Sequence, residues 1–204
     1  MFFILYNAGS GGDMVSAVID STDYEVTNID VTATFRSARL AFKMNIINSH
    51  KKRIFCNDLL VSKNKETGVL EKSELFNRLQ QQYKSLTTGH DFTVLRYAEL
   101  LQSEIILIDD SEYKYTKWCM DRCTIIGPQY HPVFSEQQYK ERTARINLAK
   151  KFNNVKIINF KDIVEGRLIS VLQQWIDTPL NTDIYENWLT NVVGRFLPVK
   201  DISP

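Results

Sequence analysis

The sequence has almost no excess charge, no long hydrophobic run and few cysteines, and each shortage removes a class of function. Its 25 basic and 24 acidic residues leave a net charge of +1. No global field would hold such a chain on nucleic acid or on an anionic membrane, so any contact of that kind must be a local patch. The opening apolar run, Met1 to Tyr6, stops at Asn7. A signal peptide carries a charged start and a longer apolar run, and a membrane span needs about 20 apolar residues. The expectation is a cytoplasmic protein with no membrane partner. The cysteines Cys56, Cys119 and Cys123 are odd in number and sparse, which suits a reducing compartment. Cys119 and Cys123 have the spacing of neighbours on one helical face, but zinc would need two more ligands and only His131 lies nearby. There is also no internal repeat, no low-complexity tract and no linker long enough to divide the chain. The 204 residues, 44% of them hydrophobic, are therefore expected to form one domain around one substantial core.

What is present is an alternation of short Ile-, Val- and Phe-rich runs with stretches of helical spacing. That pattern predicts an α/β fold of three layers, a mostly parallel sheet with helices on both faces. The strand candidates are Phe2 to Tyr6, Glu25 to Val31, Lys52 to Asn57, Glu104 to Asp109 and Val155 to Phe160. Ser73 is placed to cap a helix whose Leu75, Phe76, Leu79, Tyr83 and Leu86 share a stripe, and Val164, Leu168, Val171, Leu172 and Trp175 form another. Ser135-Glu-Gln-Gln138 has the spacing of a capping box and predicts a helix to about Lys151. Asn57 to Lys72 shows no period and reads as an exposed loop. Tyr185, Trp188, Leu189, Val192, Val193 and Phe196 form a C-terminal apolar stripe, a core element or a dimer face.

The segment that carries chemistry is Asn7-Ala8-Gly9-Ser10-Gly11-Gly12-Asp13, which follows an apolar strand and precedes the helical set Met14, Val15, Ala17, Val18 and Ile19. Glycines let the backbone bend and approach a ligand closely, so that successive amides and the positive end of the helix face a phosphate or sulfate. The alternative is a plain strand-to-helix turn without a ligand. In open α/β sheets that edge is where ligands bind. Against the pattern GxxxxGK(S/T), Asn7 stands at the first glycine, Asp13 at the lysine and Met14 at the hydroxyl residue. The phosphate-binding lysine and the Mg²⁺-holding hydroxyl must therefore come from elsewhere.

Glu104 to Asp110 is an apolar strand ending in two carboxylates, Asp109 and Asp110, the form of a strand whose Asp binds Mg²⁺; many buried strands also end in Asp because it favours the following turn. Either His90 or Asp91 is a candidate general base, Asp91 being equally suited to capping the next helix. Arg36, Arg39, Lys117, Arg122, Arg142 and Arg145 are the candidate replacements for the lysine. Arg142 and Arg145 are preferred because helix 135–151 precedes the last strand as a lid would. Tyr113, Tyr115 and Trp118 interleave with Lys114 and Lys117, a mixture that could stack a base, although Trp118 would equally suit the core.

Taken together, the glycine turn, the Ile-Asp-Asp strand end and the basic helix resemble the P-loop kinase and sulfotransferase superfamily. Tyr6 to Asp20 looks like the start of the small bacteriophage P-loop kinases that phosphorylate 5-hydroxymethyluracil in DNA. That resemblance implies an ATP- and Mg²⁺-dependent phosphotransferase with a hydroxymethylated DNA base as acceptor, working in the cytoplasm of the phage's host. A sulfotransferase, whose loop binds the phosphate of an adenosine phosphosulfate and needs no metal, fits the missing Ser/Thr better. The Asp109-Asp110 pair favours the kinase. A third reading is a binding protein with a degenerate loop.

Overall fold

The computed structural model describes residues 1–20, 60–87, 92–126 and 134–193. The strands expected at Glu25 to Val31 and Lys52 to Asn57 lie outside the described residues. Strand β1 (Phe2–Leu5) leads through the glycine turn into α1 (Gly12–Ile19), and a hairpin of β2 (Val61–Lys63) and β3 (Leu70–Lys72) precedes α2 (Glu74–Gln82) and β4 (Ser85–Thr87). A 3₁₀ turn (Phe92–Arg96), α3 (Ala98–Leu101), β5 (Glu104–Asp109) and α4 (Tyr113–Ile126) follow. Then come α5 (Glu136–Ala149), β6 (Val155–Asn159), α6 (Phe160–Val164), α7 (Leu168–Leu172), α8 (Thr182–Trp188) and a π-helical turn (Leu189–Val193).

Strands β4, β1, β5 and β6 lie side by side in that order, all parallel. Parallel strands need both faces covered, because their crossovers place helices there, and alternation along the strands supplies two apolar faces. Ile4, Ile106, Ile108 and Ile158 meet α1, α4 and α6 to α8; Phe3, Leu5, Ile105 and Leu107 meet α2, α3 and α5. Phe3, Ile4 and Leu5 are each fully buried, a contribution of about 1.5–3 kcal/mol apiece that holds β1 in the middle of the sheet. The chain is thus an α/β protein with an all-parallel sheet between helices. Among the described residues, no helix is long and apolar enough to cross a membrane.

Local signals set several boundaries. The Ser73 hydroxyl accepts from the Phe76 amide at 3.0 Å and Ser135 from the Gln138 amide at 3.3 Å, so both expected caps start their helices. Other expectations are corrected. Leu86 belongs to β4, not to the Ser73 helix, which stops at Gln82. The Asp20 carboxylate accepts from the Lys84 amide at 2.7 Å and from the Ser85 hydroxyl at 2.8 Å, and β4 then pairs with β1. Residues 60–72 form a hairpin where a loop was expected. Its strands have three residues each, too few for a period, and Asn64 Oδ1 shapes the turn by accepting from the Glu66 and Thr67 amides. The stripe from Val164 to Trp175 is divided among α6, α7 and the turn that follows α7, where Trp175 lies, because Gly166 takes a φ of +85° that ends the first helix. Val155 to Phe160 is a strand only to Asn159, Phe160 beginning α6. Of the C-terminal stripe, Tyr185, Trp188 and Val193 are buried and Leu189 packs against the core; Phe196 and the Val192 side chain lie outside the described residues.

Candidate functional site

From β1 the chain crosses to β4 on one side, and from β5 it crosses to β6 on the other. Adjacent parallel strands whose connections leave in opposite directions open a crevice at their carboxyl ends, the usual ligand position in such sheets. In this chain that position is taken by Asn7, just after β1, and Asp110, just after β5. The Asn7 amide nitrogen donates to Asp110 Oδ1 at 2.9 Å, and the two residues are 1% and 0% exposed.

The glycine turn rises from Asn7, whose carbonyl accepts from both the amide and the hydroxyl of Ser10, at 3.2 and 2.7 Å. Gly9 and Gly11 take φ of +89° and +82°, the left-handed region that side chains other than glycine strain to enter. A Cβ on Gly9 would lie 2.4 Å from the Cys119 carbonyl oxygen, and one on Gly12 would lie 2.0 Å from the Tyr6 ring. Tyr6 itself is pinned by donating its hydroxyl to Asp13 Oδ1 at 2.5 Å. The glycines are therefore demanded by the protein's own packing, through contacts with α4 and with Tyr6, just after β1. Past that packed part, Gly11 offers α1 no side-chain cap, and the Gly12, Asp13 and Met14 amides open the helix with no acceptor inside it. Ala8, Gly9, Gly11 and Asp13 are half-buried.

Arg142 reaches this edge of the sheet from α5. Its Nη2 donates to Asp110 Oδ2 at 2.6 Å and to the Ala8 carbonyl at 2.8 Å, and its Nη1 lies 2.7 Å from Met120 Sδ. Only 6% of the residue is exposed. The guanidinium thus ties the turn to β5 and α4 at once. Among the described residues, Asn7 Oδ1 and Arg142 Nε are buried without a hydrogen-bond partner. Turning the Asn7 amide round would not help, since it would set its oxygen against the Asp110 carboxylate.

Beside Asp110, the Asp109 carboxylate pairs with Lys150 at 2.5 Å and accepts from the Ser111 amide at 3.0 Å. Burial pushes this carboxyl up, but the hydrogen bonds from Lys150 and Ser111 and the lysine's charge outweigh it, so the group is held below its ordinary value. Each of the two carboxylates expected to meet Mg²⁺ is already matched by a cation of the chain. Among the described residues no group of three or more His, Cys, Asp or Glu side chains is placed to hold a metal ion. The donor set therefore does not fit Mg²⁺ as it stands.

The remaining expected residues are scattered. Arg145 is exposed on α5, one turn from Arg142. The helix read as a lid packs Ile146 and Ala149 into the core. Lys117 is exposed and pairs with Asp121 at 2.5 Å. Trp118 and Tyr115 turn inward against Phe160, with ring centroids 5.4 and 5.6 Å away, and burial with the Glu112 and Glu165 charges pushes the Tyr115 hydroxyl up to about 12. Arg36, Arg39, His90 and Asp91, with the Arg122 side chain, lie outside the described residues. Tyr6, Cys119, Met120 and Lys150 were not singled out for the site. Lys150 stands at the end of the basic helix that carries Arg142 and Arg145.

No family model, curated protein or solved structure matches the chain.

Proposed function

We propose that this chain binds a nucleotide by its phosphates at the β1–α1 turn and transfers a charged group from it to a hydroxyl acceptor. The observation that carries the reading is the coincidence of three features at one place: the carboxyl edge between oppositely departing strands, a turn with two left-handed glycines, and a helix start whose first amides have no acceptor within the helix. Arg142, joined to the Ala8 carbonyl, is the cation closest to hand for the lysine that the sequence lacks. Preorganised donors of this kind act where negative charge develops during transfer. Asp91 or His90 would take the acceptor's proton.

Phosphoryl transfer from ATP to the hydroxymethyl group of 5-hydroxymethyluracil in DNA is the form that the resemblance implies. A specific observation favours a second form, sulfuryl transfer from an adenosine phosphosulfate, which uses no metal: Asp109 and Asp110 are both ion-paired within the chain. Thermal denaturation separates the two. A rise in melting temperature with ATP and Mg²⁺, together with transfer of labelled γ-phosphate to hydroxymethylated DNA, supports the kinase. A rise with adenosine 3′,5′-bisphosphate in the presence of chelator supports the sulfotransferase. Absence of both shifts and both transfers contradicts the proposal and leaves the binding-protein reading.

A further inference from the structure

Next to the buried ion pair stands an aromatic cluster that the phosphate reading leaves unused. The ring of Tyr113 meets Phe134 at 5.3 Å and Tyr139 at 5.2 Å between centroids, both edge-on. Tyr113 opens α4 three residues after Asp110, and Tyr139 precedes Arg142 by three residues of α5, a rise of only about 4.5 Å, so the backbone that fixes the ion pair also fixes the rings. Tyr113 is 50% exposed, whereas the neighbouring Tyr115 and Trp118 are turned into the core.

A second observation points to a ligand at the same place. Gln138 Oε1, Arg142 Nε, Thr143 Oγ1 and Asn7 Oδ1 are shut from water and have no hydrogen-bond partner among the described residues. Three of them fall within residues 138–143 of α5, alongside Tyr139. Folded proteins seldom leave such atoms unpaired, so a cluster of them asks for an occupant. An amide oxygen accepts, a guanidinium N–H donates and a hydroxyl does both. Aromatic faces beside mixed donors and acceptors are the chemistry that recognises a nucleobase, whose face stacks while its edge hydrogen-bonds.

We infer that Tyr113, Phe134 and Tyr139, with Gln138 and Thr143, form a nucleobase site for the nucleotide whose phosphates lie at the β1–α1 turn. The inference rests on the proposed function and names where the other end of that ligand goes. Tyr113 turns from its ring neighbours to stack on the base, and that turn uncovers the unpartnered atoms of α5 to the base edge.

Calorimetric titration with three probes, ADP, tripolyphosphate and adenosine, tests it. The wild-type chain is expected to bind ADP more tightly than tripolyphosphate. Tyr113→Ala should weaken ADP by about tenfold or more, the scale of one stacked base, and leave tripolyphosphate unchanged, while Tyr113→Phe keeps wild-type affinity. Because Tyr113 is a half-exposed residue, the alanine variant keeps the core intact, and Tyr139→Leu provides a second reading. If Tyr113→Ala binds ADP as the wild type does, with tripolyphosphate still bound, the base site is overturned and the phosphate reading stands. Adenosine binding that is lost in Tyr113→Ala, with tripolyphosphate not bound at all, supports the base site and overturns the phosphate reading. Failure of the wild-type chain to bind ADP or adenosine overturns the base site.

Discussion

Arg142 and Asp110 form a 2.6 Å ion pair that is sealed from solvent at the carboxyl edge of the sheet. The same guanidinium reaches the Ala8 carbonyl at 2.8 Å, and the same carboxylate accepts from Asn7 at 2.9 Å, so one pair joins the glycine turn, β5 and α5. Position and chemistry meet there. The residues that hold the turn in shape are also charged groups at the edge where ligands of such sheets bind.

Breaking the pair from one side leaves the other charge buried without compensation. Arg142→Met is expected to lower the unfolding free energy by about 3–5 kcal/mol. The double variant Arg142→Met/Asp110→Asn carries no such charge and is expected to recover much of the loss, a coupling that a double-mutant cycle reads from urea denaturation. Equal destabilisation by the single and the double variants would contradict the pairing.

The glycines of the chain are not equivalent, and alanine substitution should rank them. At Gly166, where φ is +85° but no atom lies within 4 Å of a Cβ, the expected cost is the backbone strain alone, roughly 1–2 kcal/mol. Gly9→Ala adds a clash with the Cys119 carbonyl at 2.4 Å to a similar φ, and Gly12→Ala meets the pinned Tyr6 ring at 2.0 Å. Overpacking of that kind costs about 1–3 kcal/mol; Gly9→Ala adds it to the strain of φ and should therefore be less stable than Gly166→Ala, whereas Gly12→Ala carries the overpacking cost alone. Melting temperatures of the three variants give the order.

Acidification should expose the Asp109–Lys150 pair. A carboxyl whose folded pKa lies below its unfolded value contributes stability that is complete above the unfolded value and is lost as pH falls through the folded one. The Asp109 carboxyl is held below its ordinary value of 3.8, so its contribution is expected to be intact at neutral pH and to fade on descent below about pH 4. In Lys150→Met the burial that raises this carboxyl loses its main opponent, and its share of the acid loss should shrink or change sign. Urea midpoints between roughly pH 7 and pH 3 measure both slopes, and identical slopes would contradict the assignment.

Much of this architecture was legible in the sequence wherever the signal was local. A serine three residues before its amide partner marks the starts of α2 and α5, and β1, the glycine turn and α1 follow one another as a contiguous pattern. β4 was hidden because three residues show no period, and its place is set by Asp20 and by pairing with β1. The site was half legible for the same reason. Asn7, Asp110 and Arg142 each stood out, yet sequence spacing could not show that they are partners, since Asn7 and Asp110 lie 103 positions apart. Nor could the interleaved run at residues 113–118 reveal that Tyr113 stays outside while Tyr115 and Trp118 pack on Phe160. Helical periodicity assigns faces, and only the assembled sheet decides which face meets solvent.

Phosphate binding at the start of α1 is tested directly by a ¹⁵N–¹H correlation spectrum recorded during titration with ATP and with adenosine 3′,5′-bisphosphate. The amides of Gly11, Gly12 and Asp13 are expected to shift saturably with at least one of the two ligands, and the Arg142 side-chain resonance to move with them. Shifts confined to other regions, or none with either ligand, would contradict it.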